Sequence, residues 1–449
     1  MPSLMGKQAV VVGAGIGGLA AARAVADYFE RVVVLERDVL PEGAVPRAGV
    51  PQDKHVHGLL AGGQHALCDL FPGLEHDLAQ AGAVPLRIGL DIRLERPGYD
   101  PFPQRDLGWQ TYAQSRVQLE LSVRQRVRAS ANIVVRQQCR AQELMARADG
   151  AAVTGVRCMT PHGQLETLQA DLVIDASGRG MLTLGLLKAM DRALPPETTV
   201  GIDIAYATAV FAIPPTAPAE WKGVRCFPHV PKDPFGAALL PMEGGRWIVT
   251  VGGRHGHTPP GDANGFLACL QQLRTPTIYQ AVKHARRLGE VARFRFPASE
   301  WQHYEELATF PRGLLPLGDA LCRFNPAYGQ GMSVAAQEAL ALRHLLATRT
   351  RASDPLDGLA PAFFAAASAL IESPWEMAVI PDLAHPATRG ERPADLEQRL
   401  KVGQALNTLA AHDPAVHQLL LEVQHLLKPR GVLQEPGLTQ RLREVMAEG

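Results

Sequence analysis

One stretch constrains this chain more than any other: Ala9 to Glu36, AVVVGAGIGGLAAARAVADYFERVVVLE. It reads as apolar strand, glycine turn, small-residue helix and second strand, closed by an acid. Gly13, Gly15 and Gly18 stand in GxGxxG spacing. The first permits a tight turn, the second lets a phosphate approach the backbone, and the third lets the helix lie close on the sheet. The helix opens at the turn, so its unpaired N–H groups and positive dipole end face whatever sits there. Glu36, with Arg37 beside it, lies where a carboxylate can bind a ribose hydroxyl pair. Strand, turn, helix and acid together predict a dinucleotide site built from Gly13, Ala14, Gly15, Ile16, Gly17 and Gly18.

A chain of 449 residues exceeds one ordinary core, so two or three domains are expected. Lys+Arg and Asp+Glu are equal at 45 each, which removes the electrostatic argument for a nucleic-acid or anionic-membrane partner. The cysteines Cys68, Cys139, Cys158, Cys226, Cys269 and Cys322 include no CxxC pair. Isolated thiols point to a reducing cytoplasm. The apolar run Ala9 to Ala22 is glycine-rich, shorter than a membrane span and followed by a charged strand end, so neither a targeting nor a transmembrane segment is expected.

After Glu36 the segment RDVLPEGAVPRAGVPQDKHVHGLLAGG reads as a long loop of functional type. Gln64 to Leu74 suggests a helix and Leu86 to Leu94 a short strand. Ser115 caps a helix with Val117, Leu121 and Val127 on a helical period. Ile133 to Cys139 reads as a strand, Ala141 to Leu168 as a small meander, and Ala170 to Ala176 as a buried strand. From Val200 the pattern becomes antiparallel. Gly201 to Ile213 alternates, and FGAALLPM-EGG-RWIVTVGG reads as a hairpin. Helices near Asp262 and Thr275–Pro276 and a strand at Ala292 to Phe296 follow. Leu314 to Leu317 is a short buried strand running into GDALCRFNPAYGQGM, and a helix is expected from about Ser333 to Leu346. From Pro355 on, helical periods are broken by Pro and Gly.

The Gly318 segment carries its own chemistry. Asp319 ends a strand and can accept hydrogen bonds from a polyol. Gly329 and Gly331 leave the following helix's N–H groups bare, with Met332 in its first turn.

With these segments in view the chain resembles the FAD-dependent monooxygenases of the para-hydroxybenzoate hydroxylase superfamily. The resemblance rests on GAGIGG with Glu36, on RAGV with Arg47, and on Gly318–Asp319 followed by Pro326 and GQGM. It implies FAD held by these residues, with Arg116 at a cofactor-contacting position. It implies a flavin C4a-hydroperoxide formed beside Pro326, shielded by Phe324 and Tyr328, with Pro326 and Tyr328 as the candidate catalytic positions. Where that superfamily usually carries Asp-Gly, this chain has Asp175-Ala176-Ser177-Gly178-Arg179. That version is similar to halogenases, styrene monooxygenases and geranylgeranyl reductases, so NAD(P)H is expected as electron donor either directly or through a separate flavin reductase. The WxWxIP signature of halogenases is absent.

The expected fold is α/β: a Rossmann-type FAD-binding domain, an inserted antiparallel β-sheet substrate domain and a helical C-terminal region. The boundaries are 1–185 for the first FAD-binding segments, with 86–108 assignable to the substrate lobe. The substrate lobe spans 186–300, the return to the FAD-binding domain 301–350, and the helical subdomain 351–449. The expected activity is insertion of one oxygen atom into a hydrophobic, aromatic or polyketide-like small molecule. Reduction of the geranylgeranyl-reductase type and a non-catalytic flavin-binding protein are the alternatives. His55 and His57 lack further ligands at metal spacing, so no metal is expected. Trp247, Trp301, Tyr304, Phe227 and Phe235 are candidates for an aromatic cavity or for plain core, and Trp375 with Met377 for its closure.

Overall fold

A computed structural model describes residues 4–448. Its first layer is a five-stranded sheet containing Gly6–Val12, Phe29–Leu35, Ile133–Arg136, Leu172–Asp175 and Leu314–Pro316. Every pairing is parallel, with Gly6–Val12 at the centre and Leu314–Pro316 at an edge beside Leu172–Asp175. A parallel sheet needs cover on both faces, and strand alternation divides the residues between them. Ala9, Val11, Val32, Val34 and Ile174 face the helices Ile16–Ala26 and Gly331–Arg349 in the main core. Val10, Val12, Val33, Leu35 and Val173 face the three-stranded meander Arg140–Ala146, Val153–Met159 and Leu165–Gln169.

The second layer is a seven-stranded sheet built chiefly from Glu197–Ala212, Phe235–Met242, Arg246–Arg254 and Arg287–Gln302. The strand expected at Ala292 to Phe296 is thus the middle of a much longer one, because its polar residues lie along an exposed edge of the pairing with Glu197–Ala212. Ile92–Glu95 joins this sheet through a parallel pairing with Gly223–Cys226. The segment expected as one strand from Leu86 to Leu94 divides into Val84–Leu86, a helical turn Ile88–Asp91 and Ile92–Glu95. Cys322–Arg323 also pairs into the large sheet, so residues 314–323 cross from one sheet to the other.

Alternation again decides the large sheet's faces. Ala207, Ala209, Phe211, Val224, Leu239, Val249 and Val251 point to one side and pack on helices Ala263–Gln271 and Thr277–Val282. Asp262 caps the first by accepting from Gly265 N, whereas the second is preceded by Pro276 and Thr275 turns instead to Glu95 and Cys226. The other side carries Tyr206, Thr208, Arg225, Thr250 and Arg254 and faces the parallel sheet's domain.

The helix Arg116–Arg128 is capped by Ser115, whose hydroxyl accepts from Gln118 N. Of the expected period only Val127 is buried; Val117 and Leu121 are half-buried. The buried positions are Arg116, Leu119, Glu120, Ser122, Val123, Arg124 and Val127, so an apolar row Leu119–Val123–Val127 runs beside a charged one. Four further helices, Leu359–Leu383, Leu396–His412, Pro414–Gln424 and Pro436–Glu448, end the chain. The first has the length and apolarity of a membrane span, but Phe363, Phe364, Ala367 and Ile371 are buried in the main core. The other three share a smaller core with Phe102.

Candidate active site

The carboxyl ends of the parallel strands open on a cavity of about 1980 Å³, some twice the upper end of the range for a single-ligand site, roughly 300–1,000 Å³. One end is the glycine turn. Gly13 sits at φ +103°, and a Cβ on Gly18 would meet Gly13 O at 1.9 Å, so both positions require glycine. A Cβ on Gly15 would meet nothing within 4 Å. The space above Gly15 is open, and the helix starting there has no side-chain cap. Its first amides are therefore bare toward the cavity.

Of the expected cofactor residues, Gly13, Gly15, Ile16, Gly17, Gly18, Glu36, Arg37, Arg47 and Arg116 line this cavity. So do Gly318, Asp319, Pro326, Tyr328, Gly329, Gly331 and Met332. Ala14 does not. It is fully buried beneath the turn, donating its N–H to Glu36 Oε2 at 2.9 Å and accepting from Arg47 Nη2 at 3.2 Å.

Glu36 belongs to a buried charge cluster. Arg47 Nη1 lies 3.1 Å from Glu36 Oε2 and 3.0 Å from Asp38 Oδ2, and its Nε is 2.9 Å from Glu120 Oε1. Glu120 in turn binds Arg116 at 2.7 Å and approaches Arg124 at 3.6 Å. Three guanidinium groups thus meet three carboxylates, which is how so many charges stay out of water. Burial alone would push the Arg47 pKa down, but Glu120 and Glu36 raise it. Burial would raise Glu120, but Arg116 and Arg47 hold it below the ordinary carboxylate range.

At the second motif Gly318 takes φ +69° and donates its N–H to Glu338 Oε2 at 2.7 Å. Glu338 is buried on the helix Gly331–Arg349, and burial pushes its carboxyl up to about 8. Asp319 lines the cavity, and the surrounding protein raises its pKa as well. The helix beyond Gly331 has no side-chain cap, so its first amides also face the cavity. Asn325 fixes the turn between them by accepting from Ala327 N at 3.0 Å.

The long loop reaches from this cluster to the large sheet. His55 Nδ1 lies 2.7 Å from Thr208 Oγ1, which lies 2.6 Å from Thr250 Oγ1, and Val56 N donates to Thr250 at 3.0 Å. His57 Nδ1 donates to His55 O at 3.0 Å, which leaves Nε2 as an acceptor. Burial depresses both histidines to about 4, helped by Lys54 for His55 and by Arg116 for His57, so both rings are neutral at pH 7.

Several residues here carry no signal in the sequence. Asp382, on the long C-terminal helix, accepts from Tyr328 Oη at 2.8 Å and Asn325 Nδ2 at 2.9 Å, and pairs with Arg254 at 2.7 Å. Tyr206 Oη is buried without a partner, and burial raises its pKa. Phe227, Phe324 and Met377 line the cavity, whereas Trp247, Trp301, Tyr304, Phe235 and Trp375 are core. Trp247 stacks on Trp221 with ring centroids 5.9 Å apart, and Trp301 meets Trp375 edge-on at 5.6 Å. Residues of the last three helices, including Asn407, His425 and Leu442, form the ceiling.

Residues 8–185 match the family described as FAD dependent oxidoreductase. Over 402 residues the chain is 37% identical to Protein Rv3254 of Mycobacterium tuberculosis (strain ATCC 25618 / H37Rv), covering 86% of this chain and 83% of that protein. The chain belongs to the FAD-dependent oxidoreductases. It is an FAD-dependent enzyme.

Solved structures share the fold across most of its length. The flavoprotein/dehydrogenase from Cytophaga hutchinsonii superposes with a TM-score of 0.70 at 14% identity, covering 99% of this chain and 100% of that one. The flavin-dependent brominase Bmp2 gives 0.69 at 12%, covering 99% and 98%. PqsL, a probable FAD-dependent monooxygenase from Pseudomonas aeruginosa, gives 0.59 at 17%, covering 84% and 97%. The open Gly15, the two uncapped helix starts and the cavity's volume fit this oxidoreductase's cofactor.

Proposed function

We propose that this oxidoreductase is a monooxygenase that hydroxylates or epoxidises a hydrophobic, aromatic or polyketide-like small molecule. The observation that carries the reading is the continuity of one cavity, from the glycine turn past Gly318–Asp319 to the inner face of the large sheet. In this assignment the amides after Gly15 hold the pyrophosphate, Glu36 and Arg37 lie beside the ribose, and Asp319 accepts from the ribityl chain. The amides of Gly331 and Met332 stabilise negative charge on the ring system. FAD supplies the electron-transfer and oxygen-activating chemistry when bound, with two electrons drawn from NAD(P)H directly or through a partner reductase.

The chain's own part is positioning and dryness. Pro326 offers no N–H, and Phe324 and Tyr328 wall the space beside it. Tyr328 is held by Asp382, and its phenol, raised in pKa by burial and by that carboxylate, stays protonated. The long C-terminal helix and the three after it contribute to the chamber's wall. Six free cysteines suit a cytoplasmic setting.

Turnover under ¹⁸O₂ with NADPH, with and without an added flavin reductase, tests the reading. One labelled oxygen in the product is expected. Product formed anaerobically and without label means reduction or dehydrogenation instead. Asp319→Ala should lower FAD retention at least tenfold without unfolding the chain, and unchanged retention would remove Asp319 from the assignment.

A further inference from the structure

Two half-buried cations in the chamber have no carboxylate partner among the described residues. Arg225 lies on the sheet's inner face, opposite Ala238 and Leu94, in the cross-strand row that continues to Thr250. Arg96 follows the neighbouring strand Ile92–Glu95. Both line the cavity, and both guanidinium carbons lie against the Phe227 ring, at 4.5 Å for Arg225 and 5.1 Å for Arg96. Neither pairs with a carboxylate among the described residues. Arg225 donates to Ala327 O at 2.6 Å, Arg96 donates to Asn407 Oδ1, and Arg96 Nε is buried without a partner.

Elsewhere in the chamber the guanidinium groups that are not exposed are neutralised, whereas Arg37, Arg140, Arg179 and Arg295 are exposed. Arg254 has Asp382, and Arg399 and Arg430 share Glu376. Two enclosed cations near one ring repel each other, and a buried charge is tolerated when something pairs with it. Burial, with Arg225 adding to it, pulls Arg96 down to about 10 and His425 to about 4.

We propose that Arg225 and Arg96 bind an oxyanion of the substrate, a carboxylate or an ionised enol or phenol, beside Phe227. The proposal rests on reading this cavity as the substrate chamber. Its partner is therefore an apolar molecule with one anionic end. Arg225 also holds Ala327 O, so the anion is anchored next to the Pro326–Tyr328 turn. The same chemistry belongs to the 2′-phosphate of NADP(H), and the experiment separates the two sources.

Calorimetric titration of the FAD-loaded protein with 2-naphthoate, its neutral amide 2-naphthamide, and 2′,5′-ADP is the test. The naphthoate is expected to bind on the order of tenfold to a hundredfold more tightly than the amide, the range for hydrogen bonds to a charged group. Arg225→Gln and Arg96→Gln should each reduce that preference to threefold or less while leaving the flavin spectrum unchanged. Equal affinity for naphthoate and amide in the unaltered protein overturns the proposal whatever the variants do. So does 2′,5′-ADP binding that competes with naphthoate and is lost in both variants, because the site then belongs to the dinucleotide. Failure of oxygen insertion would count against the monooxygenase reading alone, since this preference is measured without turnover.

Discussion

The two ends of the cavity hold charge in opposite ways. At the nucleotide end Arg47, Arg116 and Arg124 are matched by Glu36, Asp38 and Glu120, so the cluster is complete without a ligand. At the sheet end Arg225 and Arg96 have no carboxylate partner. A self-neutralised cluster fixes backbone geometry, while an unmatched pair of cations waits for a counter-ion. The first arrangement suits a cofactor recognised through amides, and the second a ligand recognised through its charge.

Removing one cation at each end gives the sharpest contrast. Arg47→Ala leaves Glu36 and Asp38 without their guanidinium partner and is expected to destabilise the fold by about 3–5 kcal/mol. Arg225→Gln leaves no carboxylate behind and should cost at most about 1.5 kcal/mol, the upper value of a hydrogen bond such as the one to Ala327 O. Urea unfolding of both variants decides. Equal costs would mean that the ends do not differ.

Two glycines divide the nucleotide end further. Gly18→Ala forces a Cβ onto Gly13 O and should cost about 1–3 kcal/mol and FAD retention together. Gly15→Ala enters open space, so melting should stay within about 0.5 kcal/mol while FAD affinity falls. If Gly15→Ala retains FAD as well as the unaltered chain, the phosphate does not sit above Gly15.

A pH-dependent contrast concerns Glu338. Its carboxyl is raised from its ordinary value to about 8 by burial, so the folded state holds a proton that the unfolded chain releases. That contribution is complete below about 4.5, declines as pH rises, and is gone above about 8. Glu338→Gln keeps an oxygen for Gly318 N–H and removes the titration. Its melting temperature should therefore fall less between pH 6 and 9 than that of the unaltered chain. Parallel profiles would show that Glu338 is ionised in the fold.

The nucleotide end was legible because its determinants are local. Gly13 to Glu36 lie within one strand–helix–strand unit, and Gly318 to Met332 within one short segment of chain. The helix Arg116–Arg128 and its Ser115 cap were legible, but Arg116, Glu120 and Arg124 on its buried face were not, because an apolar period cannot register burial achieved by neutralisation. The sheet end stayed hidden for a different reason. Arg225, Thr250 and Thr208 share a face only through cross-strand register, and Asp382 meets Tyr328 across 54 positions of sequence. The aromatic residues stayed undivided between core and cavity in the sequence because large rings fill cores as readily as they line cavities: Trp247 and Trp301 went to core and Phe227 to the chamber.

The chamber's ceiling comes from residues after 395, whereas every residue assigned to the cofactor lies before 333. Inheritance of the two can therefore proceed separately. On the proposed assignment, substitutions in the last three helices change the chamber's lining without changing a residue assigned to the cofactor. A lineage of such enzymes can thus diversify its chemistry from the tail end of the gene while its first three-quarters stay under the flavin's constraint.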